Sequence, residues 1–316
     1  MMVSQRIWLP ISNSMNIGNL RRVYKEDGLL AALSRVMVVI TNKLRLSIYN
    51  TIHRNASEYR SPTLDEIDLI DRQFTAAGYT LKPLVLDTAK LLHFKQSMYF
   101  PDTYYGGAGS DVWDEKLLEH FIAHELAIAD LKEGDIYIDI AAYCSPWVKI
   151  LRDSEKLQAY AIDLQICPEY RHHDYYLDQD ATNTMFENSS VSAASLQCAY
   201  EMFTNDSDIR LISELGRILK PGGKVIILPL YMHTHYCCYA TPEYYGKGMN
   251  DAGAIEYIRR DMLGVPSSRK YDVEQLQKRV LETASNYNLA CIIYKLNITP
   301  DLGGNIYCHY ILELSK

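Results

Sequence analysis

The sequence lacks any apolar run as long as the roughly 18 residues that a membrane-spanning helix needs. The longest candidate, residues 29–40, is interrupted by Ser34 and Arg35. The opening stretch, MMVSQRIWLP, also lacks the apolar centre and small-residue cleavage site of a secretory signal peptide. These absences predict a cytoplasmic protein.

Cysteine is present but lacks the spacing of a zinc ribbon or a disulfide framework. The seven cysteines include the adjacent pair Cys237 and Cys238 and no C-x-x-C sequence. The sequence therefore predicts reduced thiols, as is usual in the cytoplasm, and no metal site.

Phenylalanine is scarce and tyrosine abundant, with 6 Phe against 25 Tyr. Many tyrosines fall in probable loops, at Tyr104–Tyr105, at Tyr175–Tyr176 and between residues 231 and 245. Such tyrosines either pack as amphipathic surface groups or hold a polar ring such as a sugar by their faces and hydroxyls. Both interpretations remain open.

The net charge of −7 is unevenly distributed along the 316 residues. Residues 1–60 hold nine Lys/Arg and three acids, so the rest of the chain carries −13. An acidic body is a poor partner for nucleic acid, because binding there rests largely on phosphate neutralisation.

The N-terminal region is predicted to be helical over residues 13–55. Its apolar residues recur on one face, and Arg35, Lys43 and Arg45 flank them. The face consists of Leu29, Leu30, Leu33, Val36, Met37 and Ile40. A basic amphipathic segment such as residues 19–50 can contact an anionic membrane surface, pack on the main domain, or form a homodimer contact.

Further along, Thr63 and Glu66 have the spacing of a capping box that begins a helix. We predict a basic helical segment over residues 1–60, a helical cap or lid over 61–111 and a catalytic domain over 112–316. In that last region short apolar strands alternate with amphipathic helices, which is typical of an α/β fold. The strands are expected at 135–140, 158–163, near 177, and at 191–197, 225–230, 289–296 and 306–314.

Two stretches of this region carry a family resemblance. One is DQDATNTMFENSSVSAASLQCAYEMF, from Asp178 to Phe203, and the other is ISELGRILKPGGKVIILPL, which contains a Lys-Pro-Gly-Gly turn before a buried strand. Over residues 112–316 the chain resembles class I S-adenosylmethionine-dependent methyltransferases. The resemblance implies a doubly wound, seven-stranded, mostly parallel sheet of order 3-2-1-4-5-7-6 whose last hairpin is antiparallel, with an N-terminal helical cap.

The resemblance also implies S-adenosylmethionine as cofactor and a set of residues around it. Asp163 would accept hydrogen bonds from the ribose hydroxyls, and Asp180 and Ala181 would contact the adenine. Residues after the first strand would approach the methionine end, and residues after the fourth would line the reaction cleft. These implied residues are Asp139 at the end of the first strand, then Ala141, Ala142, Tyr143, Ser145 and Trp147 after it, and Gln197 and Cys198 after the fourth.

The loop after the first strand departs from the family pattern Asp-x-Gly-x-Gly-x-Gly. Here it reads from Asp139 through Ile-Ala-Ala-Tyr-Cys to Ser145. Alanine does not readily take a positive φ, so we expect an altered loop geometry in which Cys144 or Trp147 takes part. A non-catalytic binding module on the same scaffold remains an alternative.

Candidate bases follow the fourth and fifth strands. His233 and His235 lie directly after the fifth strand, and Glu201 follows the fourth. The H-x-H spacing of His233 and His235 would allow the two histidines to bind a metal ion, but no third ligand is identifiable in the sequence. His120 and His124 share a helix face beside Glu119 and Glu125, without the H-E-x-x-H order of a metalloprotease.

Residues 231–271 are predicted to be an acceptor-recognition insertion with a helix near 252–262. Its Arg259, Arg260, Arg269 and Lys270 would suit a carboxylate or phosphate on the acceptor. Trp113, Lys116 and the Tyr104–Tyr105 pair are expected to cover the cofactor pocket.

Together these features predict O-methylation of a sugar hydroxyl in a glycan or glycolipid, as in polysaccharide biosynthesis. Methylation of a small metabolite is the alternative. The predicted partners are a small-molecule or glycan acceptor, a homodimer partner, and the inner face of the membrane through residues 19–50.

Overall fold

The computed structural model describes residues 17–108, 110–248, 251–303 and 305–316, which form two compact units. The larger unit consists of Thr63–His235 and Tyr271–Lys316, and the smaller of the described part of Met1–Pro62 with Tyr236–Lys270. Residues 63–111 thus belong with the sheet, and residues 236–270 belong with the N-terminal helix. This grouping differs from the predicted division at residues 60 and 111. No helix among the described residues is long and apolar enough to cross a membrane.

Eight helices and eleven strands are described, together with short 3₁₀ and π turns. The helices are α1 Ile17–Ile52, α2 Leu64–Ala76, α3 Thr88–Ser97, α4 Trp113–Ala123, α5 Trp147–Ser154, α6 Ser207–Ile218, α7 Val273–Leu276 and α8 Glu282–Asn286. The strands are β1 Lys82–Leu84, β2 Ile136–Ile140, β3 Gln158–Asp163, β4 Tyr176–Asp178, β5 Val191–Gln197, β6 Leu219–Leu228, β7 Cys237–Ala240, β8 Ile255–Ile258, β9 Ser268–Lys270, β10 Ala290–Leu296 and β11 Tyr310–Ser315.

The larger unit is built on one mixed sheet of order β1-β10-β11-β6-β5-β2-β3-β4. Only β11 runs antiparallel to its two neighbours. The predicted count of seven strands is wrong, because β1 adds an eighth by pairing in parallel with β10. An α/β sheet with an antiparallel C-terminal hairpin is confirmed. The predicted capping box is also confirmed, since Thr63 accepts from the Glu66 N–H and Glu66 accepts from the Thr63 N–H.

The central strands are buried because helices cover both faces of a doubly wound sheet. β5 is made largely of small residues, and all but its last residue are buried. Under this strand the Tyr137 hydroxyl lies 2.6 Å from the Ser195 hydroxyl and accepts from the Trp147 indole at 3.1 Å. These bonds satisfy polar groups that would otherwise be costly in the core.

The smaller unit combines α1 with a three-stranded sheet of order β8-β7-β9. The predicted helix near residues 252–262 is wrong, since Ile255–Ile258 pairs in parallel with β7. β-Branched and aromatic side chains in the sequence IEYI favour a strand there. After β8, the Arg260 guanidinium donates to the carbonyls of Asn50, His53 and Ala56 and so caps the C-terminal end of α1.

Helix α1 covers most of the predicted helical segment, of which residues 13–16 lie outside the described residues. Gly28 has φ 86° and ψ 178° and interrupts the helix. After Gly28, Ala32 and Val39 are buried, whereas most large apolar side chains are exposed to solvent.

Candidate functional site

The sheet of the larger unit has one point at which the chain reverses its direction of travel across the strands. From β2 the chain passes outward to β3 and β4, and then returns to β5 on the other side of β2. In open α/β sheets, ligands bind outside the carboxyl ends of the two strands at such a point. The ends of β2 and β5 therefore define the candidate site.

The loop after β2 has an unusual backbone. Ala141 and Tyr143 have φ values of 59° and 38°, in the left-handed region where a side chain costs energy. An altered loop was predicted because alanine disfavours positive φ. The structure instead places Ala141 in that conformation.

A disulfide joins this loop to the loop after β3. Cys144 and Cys167 are bonded, with their Cα atoms 5.4 Å apart, and the Cys167 N–H donates to the Tyr143 carbonyl at 3.2 Å. The prediction of seven reduced thiols is therefore wrong for this pair. Sequence spacing could not reveal the bond, because the two cysteines meet only through the pairing of β2 with β3.

Two carboxylates lie at the ends of β2 and β3. Each oxygen of Asp163 accepts one backbone N–H at 3.0 Å, from Tyr143 and from Gln165. Burial raises its pKa. Asp139 Oδ2 has no hydrogen-bond partner among the described residues, and burial raises the pKa of Asp139 to about 7. Asp163 keeps a second lone pair on each oxygen, so both acids retain capacity for a ligand.

The remaining residues predicted to bind the cofactor divide between loop and core. Asp180 is exposed, and its carboxylate accepts from the N–H and hydroxyl of Thr182. Ala142 and Ala181 are buried. The Ser145 hydroxyl accepts from the Trp147 N–H and also hydrogen-bonds Asp139.

Trp147, also predicted to bind the cofactor, is a core residue. Its side chain is fully buried, stacks on Phe100 and lies 4.8 Å from the His120 ring, centroid to centroid. Its indole N–H is already used by Tyr137. In this structure Trp147 therefore has no surface left for a ligand.

A polar cluster surrounds Cys198, directly after β5. The Lys116 ammonium lies 2.6 Å from Cys198 Sγ and donates to both Glu119 oxygens at 3.0 and 3.1 Å. Cys198 Sγ donates to Glu119 Oε1 at 3.0 Å. The hydroxyls of Tyr231 and Tyr307 lie 3.3 and 3.6 Å from the sulfur. We call these five residues, Lys116, Glu119, Cys198, Tyr231 and Tyr307, the Cys198 cluster.

Burial governs the protonation states in this cluster. It raises the pKa of the Cys198 thiol and of Tyr231, and the nearby Glu201 charge adds to both shifts. Burial lowers the pKa of Lys116, but the negative charge of Glu119 beside it opposes this shift, and the net direction is upward. At neutral pH the cluster thus holds an ammonium ion beside a neutral thiol and neutral phenols. The side-chain amide of Gln197, the residue before Cys198, donates to the Ser195 hydroxyl at 3.0 Å.

The turn at residues 104–106, predicted as a lid, borders this cluster. The Lys116 ammonium lies 5.2 Å from the centre of the Tyr105 ring and 5.7 Å from that of Tyr307. The Tyr104 hydroxyl lies 2.8 Å from His120 Nε2. Burial lowers the pKa of His120 to about 3, so this histidine is a neutral core residue. His124 instead lies 2.7 Å from Glu155.

The predicted bases are placed differently from one another. Glu201 lies in the 3₁₀ turn after β5, where its charge acts on the Cys198 cluster. His233 is buried, and its ring lies 4.3 Å from that of His235. The hydroxyl of Thr234 lies 3.3 and 3.2 Å from the Nδ1 atoms of the two histidines.

The basic residues predicted to hold an acidic acceptor have partners inside the smaller unit. Arg259 donates to Asp261, and Arg269 is buried and donates to Asp251 at 2.6 and 2.7 Å. Lys270 is also buried, with its ammonium 5.3 Å from the centre of the Tyr239 ring. Together with the role of Arg260 at the end of α1, these contacts indicate structural roles.

Sequence reasoning missed most of the Cys198 cluster. Helix α4 buries Glu115, Lys116 and Glu119, although charged residues are almost never buried unless paired. The available signal was four charged residues, Asp114, Glu115, Lys116 and Glu119, among the apolar residues of a helix that precedes the first central strand. Burial and the Glu119 charge raise the pKa of Glu115 to about 8.

Comparisons with known proteins give a structural likeness only. No protein-family model and no curated protein sequence matches the chain. Among solved structures, it is similar to 1,6-didemethyltoxoflavin-N1-methyltransferase of Burkholderia thailandensis bound to S-adenosylhomocysteine, at 12% identity and a TM-score of 0.45. That alignment covers 75% of this chain and 94% of the other.

Two further structures show the same range of similarity. Geranyl diphosphate C-methyltransferase of Streptomyces coelicolor A3(2) has 12% identity, a TM-score of 0.39 and coverage of 74% and 99%. A possible histamine N-methyltransferase of Thermotoga maritima has 14% identity, a TM-score of 0.37 and coverage of 63% and 88%. These proteins belong to the class that the sequence resembles, and at such scores they say nothing about the substrate of this chain.

Proposed function

We propose that this protein is an S-adenosylmethionine-dependent methyltransferase that methylates a sugar hydroxyl in a glycan or glycolipid. The observation that carries the proposal is the pair of acids, Asp139 and Asp163, at the ends of adjacent strands β2 and β3, next to the crossover between β2 and β5. A strand-end carboxylate there suits the two hydroxyls of a ribose.

The residues around this point fit such a cofactor. Asp163 would hold the ribose, Asp180 and Ala181 the adenine, and the loop from Ala141 to Tyr143 the methionine end. When bound, S-adenosylmethionine supplies a methyl group on a sulfonium that is its own leaving group. The protein then has to bind and orient the acceptor and accept its proton.

The Cys198 cluster supports a hydroxyl acceptor over an amine. A cationic amine would meet the Lys116 ammonium, which already lies near the faces of Tyr105 and Tyr307 and would compete for the same aromatic contacts. A neutral hydroxyl instead finds the phenols of Tyr231 and Tyr307 as hydrogen-bond partners.

A hydroxyl acceptor also needs a base. Glu201 is the first candidate because its charge acts on the cluster, and His233 and His235 are the alternatives. If the base is Glu201, then Glu201→Gln lowers kcat and leaves cofactor affinity unchanged.

A small-metabolite methyltransferase and a non-catalytic binding module are the competing proposals. The cytoplasmic location also stays a prediction, and the Cys144–Cys167 bond weighs against a strongly reducing compartment. A homodimer remains a further prediction.

Calorimetric titration with S-adenosylmethionine and S-adenosylhomocysteine tests the proposal. We expect micromolar binding that Asp163→Ala abolishes, whereas Asp174→Ala, an exposed acid in the following loop, leaves it unchanged. Binding without transfer of labelled methyl to any sugar acceptor would refute the sugar acceptor and leave the small-metabolite methyltransferase and the binding module, which transfer to a mixture of small metabolites would then separate. Absence of binding to folded protein would refute the methyltransferase proposal.

A further inference from the structure

Helix α1 presents a continuous apolar surface after Gly28. Its large side chains recur at spacings of three and four residues and are between 51% and 83% exposed. They are Leu29, Leu30, Leu33, Met37, Ile40, Leu44, Ile48 and Ile52. We call these eight residues the α1 stripe.

The stripe is one face of a helix whose opposite face is partly covered. Ala32 and Val39 are buried, and Leu33, Met37 and Ile40 in the same turns are at least half exposed. Soluble proteins seldom leave a contiguous apolar surface of this extent without a partner. The stripe runs along α1 from Leu29 to Ile52. These roughly 24 residues span about 36 Å at 1.5 Å per residue.

The charge around the stripe indicates the kind of partner. Residues 29–52 contain Arg35, Lys43 and Arg45 and no acid. On a helical projection, Lys43 and Arg45 fall on opposite borders of the stripe. An apolar face between basic borders fits the boundary of an anionic bilayer, where acyl chains receive the apolar groups and lipid phosphates neutralise the basic ones.

A second copy of the chain is a poorer occupant. Two such helices packed stripe to stripe would bring Lys43 and Arg45 of each copy together, with no acid among residues 29–52 to pair with them, and like charges across an interface oppose association. We propose that the α1 stripe lies in the surface of an anionic membrane, with α1 parallel to its plane. The proposal does not depend on methyltransferase activity, because membrane binding requires no cofactor.

Vesicle sedimentation of the full-length chain tests this assignment. We expect binding to vesicles of phosphatidylcholine with about 30% phosphatidylglycerol to exceed binding to pure phosphatidylcholine by about tenfold or more, and to fall at high salt. Lys43→Gln with Arg45→Gln removes most of this preference for anionic lipid.

The variant Leu33→Glu with Leu44→Glu places two acids in the stripe and is expected to abolish sedimentation with vesicles. A matched control, Leu92→Glu with Met185→Glu, adds the same charge at exposed apolar sites of the larger unit and keeps binding. Circular dichroism melting of both variants checks that each of them folds.

Three results would overturn the proposal. The first is that the protein does not bind anionic vesicles, and the second is that the control variant loses binding as fully as the stripe variant does. The third is that the protein forms a dimer without lipid and that Leu33→Glu with Leu44→Glu dissociates it. The dimer would assign the stripe to a second copy. Titration with S-adenosylmethionine on the same preparations separates a failure here from a failure of the proposed activity.

Discussion

Removal of the Cys144–Cys167 bond tests the local structure of the candidate site. The two cysteines are 23 positions apart, and a cross-link closing a loop of that length lowers the entropy of the unfolded chain. By the chain-entropy relation the expected stabilisation is about 3 kcal/mol. Reduction, or Cys144→Ser with Cys167→Ser, should lower the free energy of unfolding by that amount.

The effect should reach the proposed cofactor site as well. The bonded loops hold the Tyr143 N–H on Asp163 Oδ2 and the Cys167 N–H on the Tyr143 carbonyl. Without the cross-link, Ala141 and Tyr143 are freer to leave their positive φ values. Binding must then order the loop again, and a cost of about 1.4 kcal/mol would weaken S-adenosylmethionine affinity about tenfold.

Two measurements check this reasoning. Thiol titration of denatured, unreduced protein should find five reactive thiols among the seven cysteines. Urea unfolding should then show a lower midpoint with reductant, which Cys291→Ser, at a free cysteine, does not reproduce. Seven reactive thiols, or equal midpoints with and without reductant, would refute the disulfide and the account of the loop built on it.

Three other substitutions follow from the site. Ala141→Gly should raise the free energy of unfolding by about 0.5–1 kcal/mol because glycine relieves the strain of the positive φ. The control Ala142→Gly should lower the free energy of unfolding. Thermal melts that rank the two variants the other way would contradict the presence of strain at Ala141. Lys116→Met should cost about 3–5 kcal/mol because Glu119 is left buried without its cation, and adding Glu119→Leu should restore most of it in a urea double-mutant cycle. The pKa of Asp139 is raised to about 7 in the folded state, so the folded protein keeps a proton that the unfolded chain releases above about pH 4. As pH rises from about 4 to 7, this group therefore lowers the free energy of unfolding. Asp139→Asn should remove that fall, which amounts to at most about 3 kcal/mol between unfolding curves measured at pH 5 and at pH 8.

The sequence was most informative where a strand is buried on both faces. The predicted strands 158–163 and 191–197 match β3 and β5 in both bounds, because an unbroken run of small and apolar residues between turns has few other uses in an α/β fold. Because Asp163 is the last residue of β3, the correct strand end also located this candidate site residue.

Short edge strands were not predictable in the same way. β1 is only Lys82–Leu84, with two of its three side chains exposed, and it has no periodicity of its own. The segment of β8 has side chains that favour a strand, but its place in a sheet comes from its pairing with β7. Both depend on partners distant in sequence, which local patterns do not encode.

The same reason accounts for the missed part of the site. Cys198 was predicted from its position after a strand, whereas Lys116 and Glu119 reach it from a helix some 80 residues earlier. From the sequence, Lys116 was predicted only to cover the cofactor pocket, and Glu119 only to lie beside His120 on the helix. Their burial is a property of how α4 packs on the sheet, so only the structure shows the Cys198 cluster.

The absence of glycine in the loop after β2 is therefore a weak argument for a non-catalytic module. Glycine serves such a loop by allowing positive φ, and Ala141 and Tyr143 take positive φ without it. The strain that follows is opposed by two local restraints, the bond from Tyr143 to Asp163 and the disulfide from Cys144 to Cys167. A cross-linked loop of small residues can hold a backbone conformation that other sequences reach through glycine. The methyltransferase proposal then depends on the two strand-end acids and the Cys198 cluster, and glycine content does not decide it.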